Sequence, residues 1–129
     1  MLERTAEKYL NNWYRKNHRK PLVLRGARQV GKSTLVRHFA GKNDLVLNEV
    51  NLEQNLYLNN LFKTLDMDLI IRELDALAGR NIQDPSALLF LDEIQATPHA
   101  IQALRYFYEK KPELPVISAV SLLQTKRFR

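Results

Sequence analysis

Leu22-Val23-Leu24-Arg25-Gly26-Ala27-Arg28-Gln29-Val30-Gly31-Lys32-Ser33-Thr34-Leu35 decides the fold of this chain. The first four residues are a short apolar run bounded by Pro21 and Gly26, which reads as a strand. The last four open a helix expected from Lys32 to Ala40, with Leu35, Val36 and Phe39 inward and Gly41 as its stop. Between them, Gly26–Ser33 matches G-x-x-x-x-G-K-[ST] in full. At ordinary residue frequencies a chance match in a chain of this length has odds of roughly 0.4%. Glycines let the backbone curl so that successive N–H groups point at phosphate oxygens, in conformations where a side chain would clash. The helix that follows adds its unsatisfied N–H groups and its dipole. Lys32 brings a point charge for the β- and γ-phosphates, and Ser33 a hydroxyl for magnesium. The candidate nucleotide contacts are therefore Gly26, Ala27, Arg28, Gln29, Val30, Gly31, Lys32, Ser33 and Thr34. For Arg28 and Gln29, contact with the γ-phosphate or a partner stands beside plain solvent exposure.

The second chemical signal is Leu88-Leu89-Phe90-Leu91-Asp92-Glu93. Four apolar residues ending in two acids place Asp92 at the carboxyl end of a buried strand, where open α/β sheets bind ligands. A carboxylate there holds magnesium, usually through its water shell. Glu93 beside it is placed to accept a proton from, or to orient, a water attacking the γ-phosphate. Alone, an apolar run followed by Asp-Glu is an ordinary strand exit. Its place downstream of a complete phosphate loop, with one strand between, makes it functional.

The remainder of the chain alternates helix and strand. Leu2, Ala6, Tyr9, Leu10 and Trp13 recur at helical spacing in an amphipathic first helix that Asn17–Pro21 ends. Leu45–Val50 reads as a strand, and Leu56–Thr64 and Met67–Ala78 as helices. In the second of these Met67, Ile70, Ile71, Leu74 and Leu77 form the buried stripe and Gly79 is the stop. Ala87–Leu91 is a third strand. Thr97-Pro98 starts a helix to about Lys110, with a capping hydroxyl, proline at the first helical position, and Ile101, Leu104 and Phe107 or Tyr108 inward. Val116–Val120 is the last strand. Nearly all-apolar strands alternating with helices indicate an α/β protein with a parallel sheet covered on both faces.

Composition bounds the rest. At 129 residues the chain is one domain, reading as an N-terminal helix and basic arm (1–20), a nucleotide-binding core (21–124) and a basic tail (125–129). Hydrophobic content of 45% and charged content of 26% are those of an ordinary globular protein. There is no cysteine, which excludes disulfides and thiolate metal sites and makes the cytoplasm the expected compartment. The longest apolar run, Ala87–Leu91, is far short of the ~20 residues of a membrane span, and no signal peptide opens the sequence. The net charge of +6 is uneven: residues 1–25 carry seven Lys/Arg against two acids, residues 41–100 four against ten. A basic arm near a phosphate site attracts polyanions, nucleic acid included, although a solvated helix face explains it equally simply. His18, His38 and His99 lack partners at metal-ligand spacing. Tyr106-Phe107-Tyr108 reads as core and rim, and Asn51 and Glu53, after the second strand, as structural hydrogen-bonding residues.

The strings Leu24–Leu35 and Leu89-Phe90-Leu91-Asp92-Glu93-Ile94-Gln95, with Leu114–Ile117 and Ser121–Leu123, resemble the prokaryotic AAA-type ATPases that carry a nuclease-like C-terminal domain of unknown function. The resemblance runs to about Gln124. It implies an AAA-like three-layer P-loop NTPase with a mostly parallel sheet, in which Val116–Val120 inserts between the strands of Leu22–Arg25 and Asp92. It further implies ATP and Mg2+ as cofactors, Lys32, Glu93 and Ser121 as catalytic residues, and Ser33 and Asp92 as metal residues. Where the family has Gly-Ser after the sensor strand this chain has Val120-Ser121, which leaves Ser121 and Ser118 as alternatives for the sensor. The family's fifth strand, helical lid and C-terminal domain are absent, as a truncated or frameshifted gene product would have it. The strand of Leu22–Arg25 is then expected at an open sheet edge. A second copy or a partner chain is expected to supply the strand, the lid and an arginine finger. Two functions stand: an ATP-hydrolysing module, weak in isolation, and a nucleotide-binding remnant or interaction module without turnover.

Overall fold

Every second residue of the central apolar runs must find a different hydrophobic layer, and this alternation builds the domain. The computed structural model describes residues 2–27 and 31–122. Strands β1 (Leu22–Ala27), β2 (Val46–Asn51), β3 (Ala87–Asp92) and β4 (Val116–Leu122) form one parallel sheet in the order β1-β4-β3-β2. Along β3, Leu88 and Phe90 enter one core cluster with Leu10, Trp13, Val36 and Phe39, while Leu89 and Leu91 enter the other with Phe62, Ile70, Leu74 and Phe107. Helices α1 (Leu2–Arg15) and α2 (Lys32–Lys42) thus cover one face, and α3 (Leu58–Lys63), α4 (Met67–Ala78) and α5 (Pro98–Lys110) the other. The result is the three-layer sandwich expected from the sequence. β4 lies between β1 and β3, pairing Leu22 with Ile117 through Ala27 with Leu122, and Leu89 with Val116 through Leu91 with Ser118. Among the described residues no helix is long and apolar enough to cross a membrane.

β1 stands at the sheet edge, as the resemblance implied. Leu22 and Leu24 pack under α1 with Leu10, Trp13 and Tyr14, and Val23, on the opposite face, is exposed. The N-terminal arm is tied down by Arg19. Its guanidinium lies 4.9 Å from the Tyr14 ring and 5.9 Å from that of Trp13, and it donates to the Tyr14 and Glu113 carbonyls. Burial pushes the Arg19 guanidinium below its ordinary value. Lys20 Nζ sits 5.8 Å from the Tyr108 ring, and Glu7 pairs with Lys42 at 2.9 Å, so part of the basic arm is engaged within the protein.

Several local expectations are corrected. Gly41 lies inside α2, which runs on to Lys42, because Asn43 ends it: its backbone and side-chain N–H groups both donate to the Phe39 carbonyl. Asp44, at φ 54°, then takes the left-handed position that Gly41 was expected to fill. The helix expected from Leu56 starts at Leu58, after a 3-10 turn at Leu52–Gln54, and Leu56 is exposed. Tyr9, Leu77 and Ile101, each placed on a buried stripe, are 59%, 41% and 51% exposed. The Thr97 hydroxyl does not cap α5; it is buried without a hydrogen-bond partner. β1 continues through Gly26 and Ala27, and β4 through Ser121, because Gly26 pairs with Ser121 in the ladder.

Candidate functional site

The two sequence signals meet at the carboxyl end of the sheet. Gly31, at φ 78° and ψ 30°, turns the chain into α2. An added Cβ there would touch nothing within 4 Å, so the requirement for glycine is conformational, worth about 1–2 kcal/mol for a left-handed residue. No side chain caps α2 and no acid occupies its first turn. The first-turn N–H groups, uncapped by any described side chain, suit an anion, and the Asp92 carboxylate meets this end at Ser33 Oγ. Gly26, by contrast, is a strand residue paired with Ser121. Ala27 closes β1, Thr34 is exposed in the first turns of α2, and Arg28, Gln29 and Val30 lie outside the described residues.

Lys32 is buried at 8% exposure, and its ammonium reaches back across the turn. Nζ donates to the Gly26 carbonyl at 3.3 Å and to Ser121 Oγ at 3.4 Å. Ser121 Oγ in turn donates to Glu93 Oε2 at 2.9 Å. Lys32, Ser121 and Glu93, drawn from α2, β4 and the end of β3, thus form one chain of contacts. Ser33 Oγ donates to Asp92 Oδ2 at 2.9 Å, and the other carboxylate oxygen, Oδ1, accepts the Glu93 backbone N–H at 2.9 Å. Asp92 and Glu93 are each only 7% exposed. Ser118, the alternative to Ser121, is turned the other way: its hydroxyl donates to the Leu22 carbonyl at the start of β1, 3.4 Å away.

The backbone at Glu93 is itself unusual, with φ 55° and ψ 48°. His18, Asp44 and Leu65 also have positive φ, but they lie in turns and none is buried. A buried, non-glycine residue in this region costs of order 1–3 kcal/mol and persists where its surroundings hold it. Such positions concentrate at functional sites.

The sequence profile of the AAA domain matches residues 18–127. The chain belongs to the AAA domain family. Among solved structures, PCH-2 of C. elegans aligns to this AAA domain with a TM-score of 0.59 at 16% identity, covering 97% of the chain and 38% of PCH-2. AMPPCP-bound DnaA from Aquifex aeolicus aligns with a TM-score of 0.47 at 13% identity, covering 96% of the chain and 40% of DnaA. The chain therefore spans about two-fifths of the length of both. No curated protein sequence matches it. At such an identity the likeness to PCH-2 shows the fold alone, an α/β fold with a four-stranded parallel sheet.

Other residues of the AAA domain fall outside the cluster. Asn51 lies opposite Asp92 in the β2–β3 ladder, but its Oδ1 accepts the Gln54 N–H and so caps the 3-10 turn, and Glu53 is exposed. His38 Nε2 lies 3.5 Å from Glu7. Among the described residues no group of three or more histidines and acids is arranged to hold a metal. Phe107 is buried, with Tyr106 and Tyr108 at its rim.

Two residues near the site carried no functional reading in the sequence. Arg37, one helical turn beyond Ser33, makes a bidentate pair with Glu49 at 2.8 and 3.0 Å. Its guanidinium is pushed above the ordinary value by Glu49 and, more weakly, by Asp92. Gln95 donates its Nε2 to Glu93 Oε1 at 2.7 Å, while its Oε1 accepts the Ser121 backbone N–H at 3.3 Å. In the sequence it stood only as the last residue of the string Leu89–Gln95, with no role attached.

Proposed function

We propose that this AAA domain binds ATP with magnesium at the N-terminus of α2 and hydrolyses it slowly on its own. The observation that carries the reading is the convergence of Lys32, Ser121 and Glu93 in one hydrogen-bonded chain beside the Ser33–Asp92 pair. The uncapped end of α2 and the Lys32 ammonium hold the β- and γ-phosphates. Ser33 and Asp92 fit a magnesium ion: both are hard oxygen donors, already within 2.9 Å of each other. Magnesium, when bound, neutralises charge on the phosphates. Glu93 orients the attacking water or takes its proton, and Ser121 senses the γ-phosphate through its contacts to both Lys32 and Glu93. P-loop enzymes without a charge-stabilising arginine lose about 10³–10⁵ in rate, and a partner chain is proposed to supply it.

The alternative, nucleotide binding without turnover, draws on a separate observation. Each Glu93 oxygen already accepts a hydrogen bond, from Gln95 and from Ser121, so part of the carboxylate's accepting capacity is spent within the protein. Equilibrium binding of a fluorescent ATP analogue, with magnesium and with EDTA, tests the shared part of both readings. Saturable binding that weakens in EDTA supports it; no binding in either condition refutes it. Single-turnover hydrolysis, followed over hours with protein in excess, then separates the two.

A further inference from the structure

Glu93 accepts hydrogen bonds from Ser121 and from Gln95, and the reading above explains the first alone. Ser121 reaches Oε2 and connects it to Lys32. On the other side Gln95 donates to Oε1 at 2.7 Å, and the same amide accepts the Ser121 N–H at 3.3 Å. A single side chain therefore bridges the carboxylate to the backbone of β4, although Glu93 itself sits on the loop after β3. The bridge closes a ring: Glu93 to Ser121 through the hydroxyl, Ser121 to Gln95 through the backbone N–H, and Gln95 back to Glu93 through the amide. The left-handed backbone of Glu93 turns the chain into the 3-10 turn Ile94–Ala96, which is what brings Gln95 back beside it.

An amide suits this place for chemical reasons. It donates to the carboxylate and accepts from a peptide N–H at once, which neither a carboxylate nor an ammonium does. Misplacement of a catalytic group by about 1 Å costs about a hundredfold in rate. We infer that Gln95 is the positioning residue for Glu93, locking the carboxylate to β4 so that displacement of Ser121 is transmitted to it. The inference rests on the reading of Glu93 as the water-activating residue. It adds that β4, which also touches Lys32 through Ser121, carries the state of the phosphate site to the base through Gln95.

The test uses the full chain as wild type, Gln95→Ala, Gln95→Asn and Glu93→Gln. Three quantities are measured: affinity for a fluorescent ATP analogue, the single-turnover rate of ATP hydrolysis, and hydrogen exchange at the Ser121 N–H without nucleotide. Gln95→Ala is expected to leave affinity within about twofold and to slow turnover about tenfold or more. It is also expected to speed exchange at Ser121, as an N–H that has lost its acceptor does. Gln95→Asn, one methylene shorter, behaves like the alanine variant because it does not span the gap. Unchanged turnover or unchanged exchange in Gln95→Ala overturns the inference, and so does equal loss of affinity and rate. Glu93→Gln keeps the two readings apart. If it turns over as fast as wild type, the assignment of Glu93 fails. If it stops turnover while Gln95→Ala does not slow it, only the role of Gln95 fails.

Discussion

Replacing Lys32 by alanine separates binding from folding, because the two effects differ in size. The ammonium is 8% exposed, and its contacts to Gly26 O and Ser121 Oγ are long, at 3.3 and 3.4 Å. The favourable contacts of a buried cation are largely offset by its desolvation. Folding stability is therefore expected to change by less than about 1 kcal/mol. With a triphosphate present, the same charge gains acceptors of full negative charge in a desolvated setting. Hydrogen bonds of that kind are worth about 1.5–3 kcal/mol. At about 1.4 kcal/mol per factor of ten, the dissociation constant for ATP rises ten- to a hundred-fold. Isothermal titration calorimetry with magnesium measures the affinity and thermal melting the stability. Equal affinities for wild type and Lys32→Ala would falsify the assignment. An unfolded variant would refute the estimate of its structural role, and Lys32→Met, which keeps the aliphatic stem, would then carry the binding test.

Glu93→Gln is expected to remove residual turnover while leaving ATP affinity within about twofold, as a general base contributing 10²–10⁴ would; equal phosphate release by both proteins contradicts it. Asn48 is buried in β2 with neither side-chain polar atom hydrogen-bonded, so Asn48→Leu should stabilise the fold by about 1–3 kcal/mol in urea unfolding. A loss of stability would mean that the amide is satisfied. Hydrogen bonds from the Ser86 backbone and hydroxyl hold the Asp84 carboxyl below its ordinary value, and Lys42 and His38 do the same for Glu7. A depressed folded-state value stabilises above the unfolded value and is lost as pH falls through the folded one. Melting temperature should thus fall below about pH 4, and less steeply in Asp84→Asn; identical acid limbs for the two proteins would remove Asp84 from the account.

How far these elements were legible follows from where the information lies. β3 and α4 were readable almost to the residue, because Ala87–Leu91 is wholly apolar, the apolar stripe from Met67 has helical period, and Gly79 marks the end of α4. The end of α2 was misread because the left-handed position fell to Asp44, which tolerates it, rather than to the glycine that usually takes it. Tyr9 and Ile101 have the right period for their helices and the wrong phase, a distinction that only packing partners make. In the site, Lys32, Ser33, Asp92 and Glu93 were visible because their chemistry depends on spacing along the chain. The contact of Ser121 with Lys32 and Glu93 depends on β4 lying between β1 and β3, a long-range fact that no local pattern contains. Gln95 was invisible for a different reason. A 3-10 turn after a left-handed residue folds it back on Glu93, and no periodicity reports such a turn.

The most direct test of the account is a crystal structure of the chain with a non-hydrolysable ATP analogue and manganese in place of magnesium. Anomalous scattering then locates the metal independently of the nucleotide. The account predicts the triphosphate at the N-terminus of α2 beside Lys32, and a manganese peak between Ser33 Oγ and the Asp92 carboxylate. A nucleotide bound elsewhere, or a metal with neither residue near it, would contradict it.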